Sequence, residues 1–536
     1  MDESPAKFGS YEHETKVNLI REPISDEDFL ATLGYKQELR REFSPVEVFG
    51  IGFSIIGLFP SISSVLFFSL PYGAVGMVWG WAVCVVFLTF MSLALAELAS
   101  AAPTTGGLYY WSYAYSTPKW RRLLSWIVGY TNTISNIAGV CSIDWGCALQ
   151  ITSAASIGSN FTFVPTVGHN FGVFCALVIS HAAVCSLSGR IIARLQKLYI
   201  TFNIVLVLGI IIGMPIATSK EFKNDARFAF GDLENFSLWP NGYGVILSFI
   251  APLWVIGGLD SCVHMSEEVS NAAVAVPWGI VAATTLSGVL GWAVNVTIAF
   301  CMGTDIGGIL GSVTGQPMSD ILFNSFGQKG ALAIWALVAV TQFMMGTSSL
   351  TASSRQTWAF ARDGALPFSS FFHRINSTTG TPVNCVWMCA GSAILLGLLA
   401  FAGPTAINAI FSLAVACQYI AYSIPISARF LGGKEFKRGP FHLGIFSLPV
   451  AVIAVAWMSF MVVVVMFPTS PIVDSGSMNY SCVVLGGTLS LAVGYYYFPK
   501  VGGVYWFEGP VKTVHDGQSY SADSSDGKEN VEKSSK

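Results

Sequence analysis

From residue 45 onward the chain alternates long apolar runs with short polar stretches that carry most of its Lys and Arg. Ile204–Ile216 and Ala451–Phe467 contain no charged residue at all. A helix needs roughly 20 apolar residues to cross a bilayer. On that measure the pattern predicts twelve spans, near 46–70, 74–100, 123–150, 171–188, 197–217, 242–268, 277–302, 329–354, 383–403, 405–428, 445–467 and 480–498. The fold class that follows is an all-α polytopic membrane protein. A charged stretch before the first span, Tyr35–Phe43, is expected to form a membrane-flanking helix. Beyond Lys500 the chain turns rich in Ser, Asp and Lys, a composition that reads as disordered. The expected division is a tail at 1–44, a ten-helix core at 45–430, two accessory helices at 431–499 and a second tail at 500–536.

Composition agrees with the pattern. Of 536 residues, 53% are hydrophobic and 11% charged, against roughly 25% charged in soluble domains. The 53 glycines suit helices that pack closely in lipid. A soluble enzyme, a disordered scaffold and a nucleic-acid binder are excluded. The net charge of -3 adds nothing; the positions of the charges do. With the spans above, 24 of the 28 Lys and Arg fall in the two tails and the loops on their side. Positive charge marks the cytoplasm, so both termini are expected there. The sequons at Asn160, Asn235 and Asn479 then lie outside and that at Asn376 inside. Residues 1–44 lack a cleavable signal pattern, which makes the first span the expected insertion signal. The cysteines sit mostly within apolar runs and form no metal-binding pattern, so structural thiols are expected.

Two spans cannot be continuous helices. The first contains Gly57-Leu58-Phe59-Pro60-Ser61-Ile62-Ser63-Ser64, where proline removes a donor and glycine frees the backbone. The sixth contains Trp254-Val255-Ile256-Gly257-Gly258-Leu259-Asp260-Ser261. Here Asp260 is expected to cap the restarted helix and so to have a structural role. Five spans separate the breaks, so the second half runs inverted relative to the first. Paired broken helices in inverted halves point to a transporter's binding site. Unwound backbone in hydrocarbon is tolerated only around a cavity. N–H groups near Ser61–Ser64 offer partial positive charge to a carboxylate. Carbonyls around Val255–Gly257 offer partial negative charge to an amine. Gly57, Pro60, Ser61, Ser63, Gly257 and Gly258 are therefore the expected substrate contacts. Trp254, one turn before the second break, is placed as a lid. Each break also has an ordinary reading, a proline kink or a glycine-packed crossing.

These residues resemble those of the amino acid–polyamine–organocation permeases, across almost the whole membrane region. Within that superfamily the chain is most similar to the fungal GABA and choline branch. The stretch Ala96-Glu97-Leu98 with Pro103, Gly106-Gly107 and Tyr109-Tyr110-Trp111 is similar to the motif ending the second span. Asp260-Ser261-Cys262-Val263-His264, Glu267-Glu268 and Pro277 follow the pattern leaving the sixth. Ser354-Arg355-Gln356, Trp358-Ala359-Phe360 and Ala361–Pro367 follow the segment after the eighth. Gly139–Gly146 and Phe411–Ala416 look closer to GABA permeases than to choline ones. The resemblance implies a five-plus-five inverted repeat with two extra helices and import by alternating access. It implies a cation- or proton-coupled importer. Asn203 stands where some bacterial relatives carry a lysine that substitutes for a sodium ion, which leaves the coupling ion open, a proton being expected and sodium the alternative. Thr347, Ser348 and Ser349 are hydroxyls suited to a cation site or to interhelical hydrogen bonds.

Charge at membrane depth costs at least roughly 2.5–3.5 kcal/mol, so each case asks for a partner. Glu97 is expected to be structural or gating. Glu267 and Glu268 are placed to pair with Arg355 or Arg362 as an inner latch, or to lie solvated. Asp144 is placed near the outer mouth, to attract a cationic group or to bond a neighbouring helix. His181 and His264 are expected to be packing residues. No nucleophile triad, HExxH or phosphate loop is present, so neither an enzyme nor a metal or organic cofactor is expected. The expected partners are the bilayer and a small zwitterionic or cationic amine, not nucleic acid. The leading function is a GABA or small amino acid permease of the plasma membrane or, alternatively, the vacuole. Choline or polyamine uptake is second, and a nutrient-sensing receptor on the same fold third.

Overall fold

The computed structural model describes residues 25–468, 470–473 and 478–514. After α1 (Asp26–Thr32) come α2 (Pro45–Ile56), α3 (Leu58–Ser69), α4 (Gly73–Ala101), α5 (Leu108–Tyr115), α6 (Arg121–Gly158), α7 (Val167–Cys185) and α8 (Gly189–Ala217). Next are α9 (Ala226–Phe230), α10 (Asn241–Leu247), α11 (Ile250–Val255), α12 (Ser261–His264), α13 (Ala272–Cys301) and α14 (Ile306–Leu310). The last are α15 (Pro317–Arg362), α16 (Ser369–Phe372), α17 (Val383–Gly397), α18 (Pro404–Leu431), α19 (Ser447–Val464) and α20 (Ser481–Tyr497). Helix occupies every interval that the apolar pattern marks. Among the described residues, eight helical stretches are long and apolar enough to cross a membrane. Large apolar side chains such as Ile216, Leu395 and Leu491 are more than two-thirds exposed on the outer faces, as lipid-facing residues are.

The elements start and close where local chemistry allows. Pro45 opens α2 at a position where its missing N–H is not needed, and the Ser44 N–H donates to Glu47 Oε2 at 2.7 Å. Helices α4 and α13 approach closely because Gly288 and Gly291 present no side chains to Val85 and Trp81. The Trp81 indole N–H then reaches the Gly288 carbonyl at 2.9 Å. At the centre, the pairs α2–α3 and α11–α12 pack among α6, α8, α13, α15 and α18, while α19 packs on α4 and α18.

Two expectations about the tails change. Residues 35–43 are not helical; the helix lies earlier, at Asp26–Thr32. The later stretch runs extended because the Glu42 and Phe43 N–H groups both bind the Glu268 carbonyl at 3.0 Å, and Phe43 O accepts the Ser270 N–H. Residues 500–514 are packed against the bundle, with Phe507 buried on Trp126. The Thr513 N–H donates to Gly34 O at 2.8 Å and the Lys36 N–H to Thr513 Oγ1 at 2.7 Å. The two tails therefore lie on one face, called the tail face below. Residues 515–536 and 1–24 lie outside the described residues.

Candidate functional site

Both interruptions are present, and they differ in form. Helix α2 ends at Ile56 and α3 begins at Leu58, with Gly57 alone between them at φ +46°. Only glycine adopts that left-handed conformation without strain. The second break is wider: α11 stops at Val255 and α12 starts at Ser261, with Gly258 at φ +71°.

A cavity of about 50 Å³ lies beside them, room for a few waters. Of the expected contacts, Trp254, Gly257 and Gly258 line it, as does Ser349. Gly57, Pro60, Ser61 and Ser63 do not. Met345 of α15 stands between: it lines the cavity, its Sδ accepts from Ser61 Oγ at 3.3 Å, and it packs against Gly57. Ser61 and Ser63 turn their hydroxyls back to the Ile56 and Phe59 carbonyls, at 2.6 and 2.8 Å. Trp254 packs on Phe411 and donates its indole N–H to Ser142 Oγ at 3.1 Å. The remaining polar lining comes from Ser135, Asn136, Ser261 and Gln418. Among the described residues no charged side chain lines the cavity.

Asp260 is corrected most. It does not cap α12: its backbone is helical (φ -74°, ψ -12°) and its side chain makes no cap bond, whereas an N-cap needs extended dihedrals. Instead the buried carboxylate collects four side chains. Tyr422 OH donates to Oδ1 at 2.6 Å and Gln418 Nε2 to the same oxygen at 3.2 Å. Asn132 Nδ2 donates to Oδ2 at 2.8 Å, and His264 Nε2 lies 2.9 Å from it. His264 is thus buried with both ring nitrogens partnered, Nδ1 by the Thr105 carbonyl and Nε2 by Asp260. Sequence reasoning missed Asn132, Gln418 and Tyr422. A signal existed, since Asn132/Asn136 and Gln418/Tyr422 are polar i, i+4 pairs on helix faces inside apolar spans.

Toward the tail face, both acid–base pairs form. Arg362 grips Glu267 with two bonds of 2.7 and 3.1 Å, and Arg355 Nε donates to Glu268 at 2.8 Å. All four are buried, so each neutralises a charge that lipid-depth burial would otherwise penalise. The Arg362 guanidinium also lies 3.9 Å from the Tyr35 ring centroid. Beside it, Asp363 accepts from Tyr35 OH, Tyr109 OH and the Val511 N–H, at 2.9, 2.7 and 3.1 Å. Burial lifts the Asp363 carboxyl above its usual range in spite of Arg362. Both tails are thereby fastened to the end of α15.

The other candidates have partners of their own. Glu97 takes two bonds from Arg429, at 2.6 and 3.0 Å, and one from Ser447. Asp144 is fully buried away from the cavity and faces His181 Nδ1 at 3.2 Å. Of the three α15 hydroxyls, Thr347 bonds its own helix at Phe343 O and Ser348 bonds Gln196. Only Ser349 faces the cavity. Asn203 is buried and donates to Tyr199 O. Among the described residues no cluster of ligands suits a metal ion.

Comparison with known proteins accounts for this arrangement. Residues 43–488 match the amino acid permease family model. The GABA-specific permease of Saccharomyces cerevisiae is 40% identical over 94% of this chain and 89% of its own length. An uncharacterized amino-acid permease of Schizosaccharomyces pombe is 36% identical, over 95% and 92%. Amino-acid permease 2 of Neurospora crassa is 31% identical, over 91% and 89%. An all-helical bundle with two broken helices about a small cavity, matched over nearly its full length, belongs to the amino acid permease family and is an integral, multi-pass membrane transporter.

Proposed function

We propose that the protein imports GABA or a closely related small amino acid across the plasma membrane, with both termini cytoplasmic, by proton-driven alternating access. The observation that carries the substrate class is the uncharged lining between two helix breaks. A ligand held by hydroxyls, amides and helix-end dipoles alone must be nearly neutral overall, which suits a zwitterion. Its carboxylate would meet the first N–H groups of α3, and its ammonium the carbonyls ending α11. A choline or polyamine cation asks for an aromatic cage or a carboxylate. The cavity has one aromatic residue, Trp254, and Asp260 stands behind Gln418. The similarity to a GABA-specific permease points the same way.

In this conformation the Glu267–Arg362 and Glu268–Arg355 pairs hold the tail face closed. Met345 covers the first break, and as an unbranched thioether it has rotamers to swing aside. Substrate entry then means moving Met345 and Trp254; release means parting the ion pairs. Residues 45–430 serve in this reading as an inverted-repeat core, with α19 and α20 accessory. The test is uptake of labelled GABA, other amino acids, choline and polyamines into cells expressing the chain, across pH and sodium. Saturable GABA uptake that rises with external acidity and ignores sodium is expected. Uptake of choline but not GABA would overturn the substrate assignment.

A further inference from the structure

We infer that the coupling proton is held between Asp260 and His264, one turn apart on the second broken helix. This deepens the proton-driven reading above and rests on it.

Donor and acceptor counting carries the inference. His264 Nδ1 lies 2.9 Å from the Thr105 carbonyl oxygen. A carbonyl only accepts, so Nδ1 bears a hydrogen. His264 Nε2 lies 2.9 Å from Asp260 Oδ2. With Nδ1 protonated, a neutral imidazole turns the Nε2 lone pair toward that oxygen. A bare carboxylate would then oppose it, lone pair against lone pair. The contact is attractive only with one further proton on it, on the imidazole or on the acid. The remaining capacity of Asp260 is filled by the Tyr422, Gln418 and Asn132 donors, none of which can supply that proton while keeping its own role. With its proton the dyad is neutral overall; without it, a fully buried negative charge is left.

The surroundings leave that proton to the dyad. Glu267 and Glu268, just beyond α12, are already matched by Arg362 and Arg355 of α15. Arg41 from the tail segment binds the Ser266 and Val269 carbonyls. On α2, Glu47 pairs with Lys197. On α6, Tyr130 binds Ala365 O and Asp144 faces His181. Tyr109 binds Asp363, Tyr422 of α18 donates to Asp260, and Cys262 shares the helix of the dyad and faces the Val48 carbonyl. In the second buried acid–imidazole pair, Asp144–His181, Nδ1 faces the carboxylate and Nε2 has no partner, so donor and acceptor counting fixes no further proton on that contact as it does on Asp260–His264.

The dyad also joins the two ends of the transport cycle. Gln418 reaches from the cavity to Asp260, and Asn136 reaches it through Asn132. On the other side the Thr105 N–H donates to Glu267 Oε1 at 3.1 Å, so His264 and the Arg362 ion pair hold the same loop residue. One proton enters with the substrate, sits on the dyad while the tail face is shut, and leaves to cytoplasmic water when that face opens. Its loss sets Oδ2 against Nε2, which pushes His264 and Thr105 away from the closed arrangement.

The test uses the purified full chain in liposomes that enclose a pH-sensitive dye, with GABA as the probe. In the parent, GABA addition should acidify the lumen, and an inside-alkaline gradient should accumulate GABA. His264→Gln keeps a polar side chain that spans Thr105 and Asp260 but holds no proton. It is expected to lose GABA-driven acidification and gradient-driven accumulation while GABA/GABA exchange continues. Asp260→Asn should give the same split and carries the test if the first variant is poorly folded. Acidification that persists in both variants overturns the dyad, as does its loss in His181→Gln alone. A parent that exchanges GABA without moving protons overturns the proton-driven reading itself.

Discussion

The two helix breaks solve the same backbone problem with different chemistry. At Gly57 a single left-handed residue separates α2 from α3, and the nearby hydroxyls return to carbonyls close in sequence, Ser61 to Ile56 across the break and Ser63 to Phe59 within α3. Between Val255 and Ser261 the gap is wider, and a buried carboxylate gathers side chains from α6, α12 and α18. The first break is thus locally satisfied and moves only with its cover, Met345. The second is satisfied by tertiary partners, so any shift at the site is felt by α6, α18 and the tail-face ion pairs. In the transport reading proposed above, both breaks receive substrate and the second carries the coupling.

Removing the centre of the second break should have the largest effect. Asp260→Leu leaves the Tyr422, Asn132 and Gln418 donors facing an alkyl group. Breaking such a buried charged network typically costs about 3–5 kcal/mol. A large drop in the melting temperature of detergent-purified protein, with loss of uptake, is expected. A variant that melts within a degree or so of the parent would show that the network holds nothing.

An intermediate effect is expected at the first break. Gly57→Ala forces a left-handed conformation worth roughly 1–2 kcal/mol on a residue with a Cβ, and that Cβ would sit 2.8 Å from Met345 Sδ. Uptake should fall while membrane expression holds. Adding Met345→Ala removes the contact but not the strain, so partial return of uptake is expected. A double variant no better than Gly57→Ala would show that Met345 is not what covers the break.

The smallest effect belongs to Ser63→Ala, which deletes a bond to a carbonyl of its own helix. Such a bond contributes about 0.5–1.5 kcal/mol, and GABA uptake should keep its KM within about twofold, less than the tenfold that 1.4 kcal/mol of binding would carry. A large rise in KM would return Ser63 to the substrate contacts and make the first break more like the second.

Much of this was legible in the residue order. Apolar run lengths mark where helices lie, since hydrocarbon admits few alternatives. Gly57 and the Gly257–Gly258 pair mark the breaks, because backbone freedom is a property of the residue itself. The Glu267–Glu268 and Arg355–Arg362 pairing was legible because buried charges need opposite partners nearby. What only the tertiary structure decided is which side chains meet across the bundle. Asp260 looked like a helix cap while its neighbours in sequence were the only ones in view, yet three of its four side-chain partners come from positions 128, 158 and 162 residues away. Met345 reads as one apolar residue among many until folding sets it against Gly57. Residues 35–43 read as helical from their charge pattern, but the carbonyl of Glu268 draws their N–H groups into an extended path. Periodicity and backbone preference are written one residue at a time; hydrogen-bond partners across helices depend on rotation and register, which only close packing of the whole bundle sets.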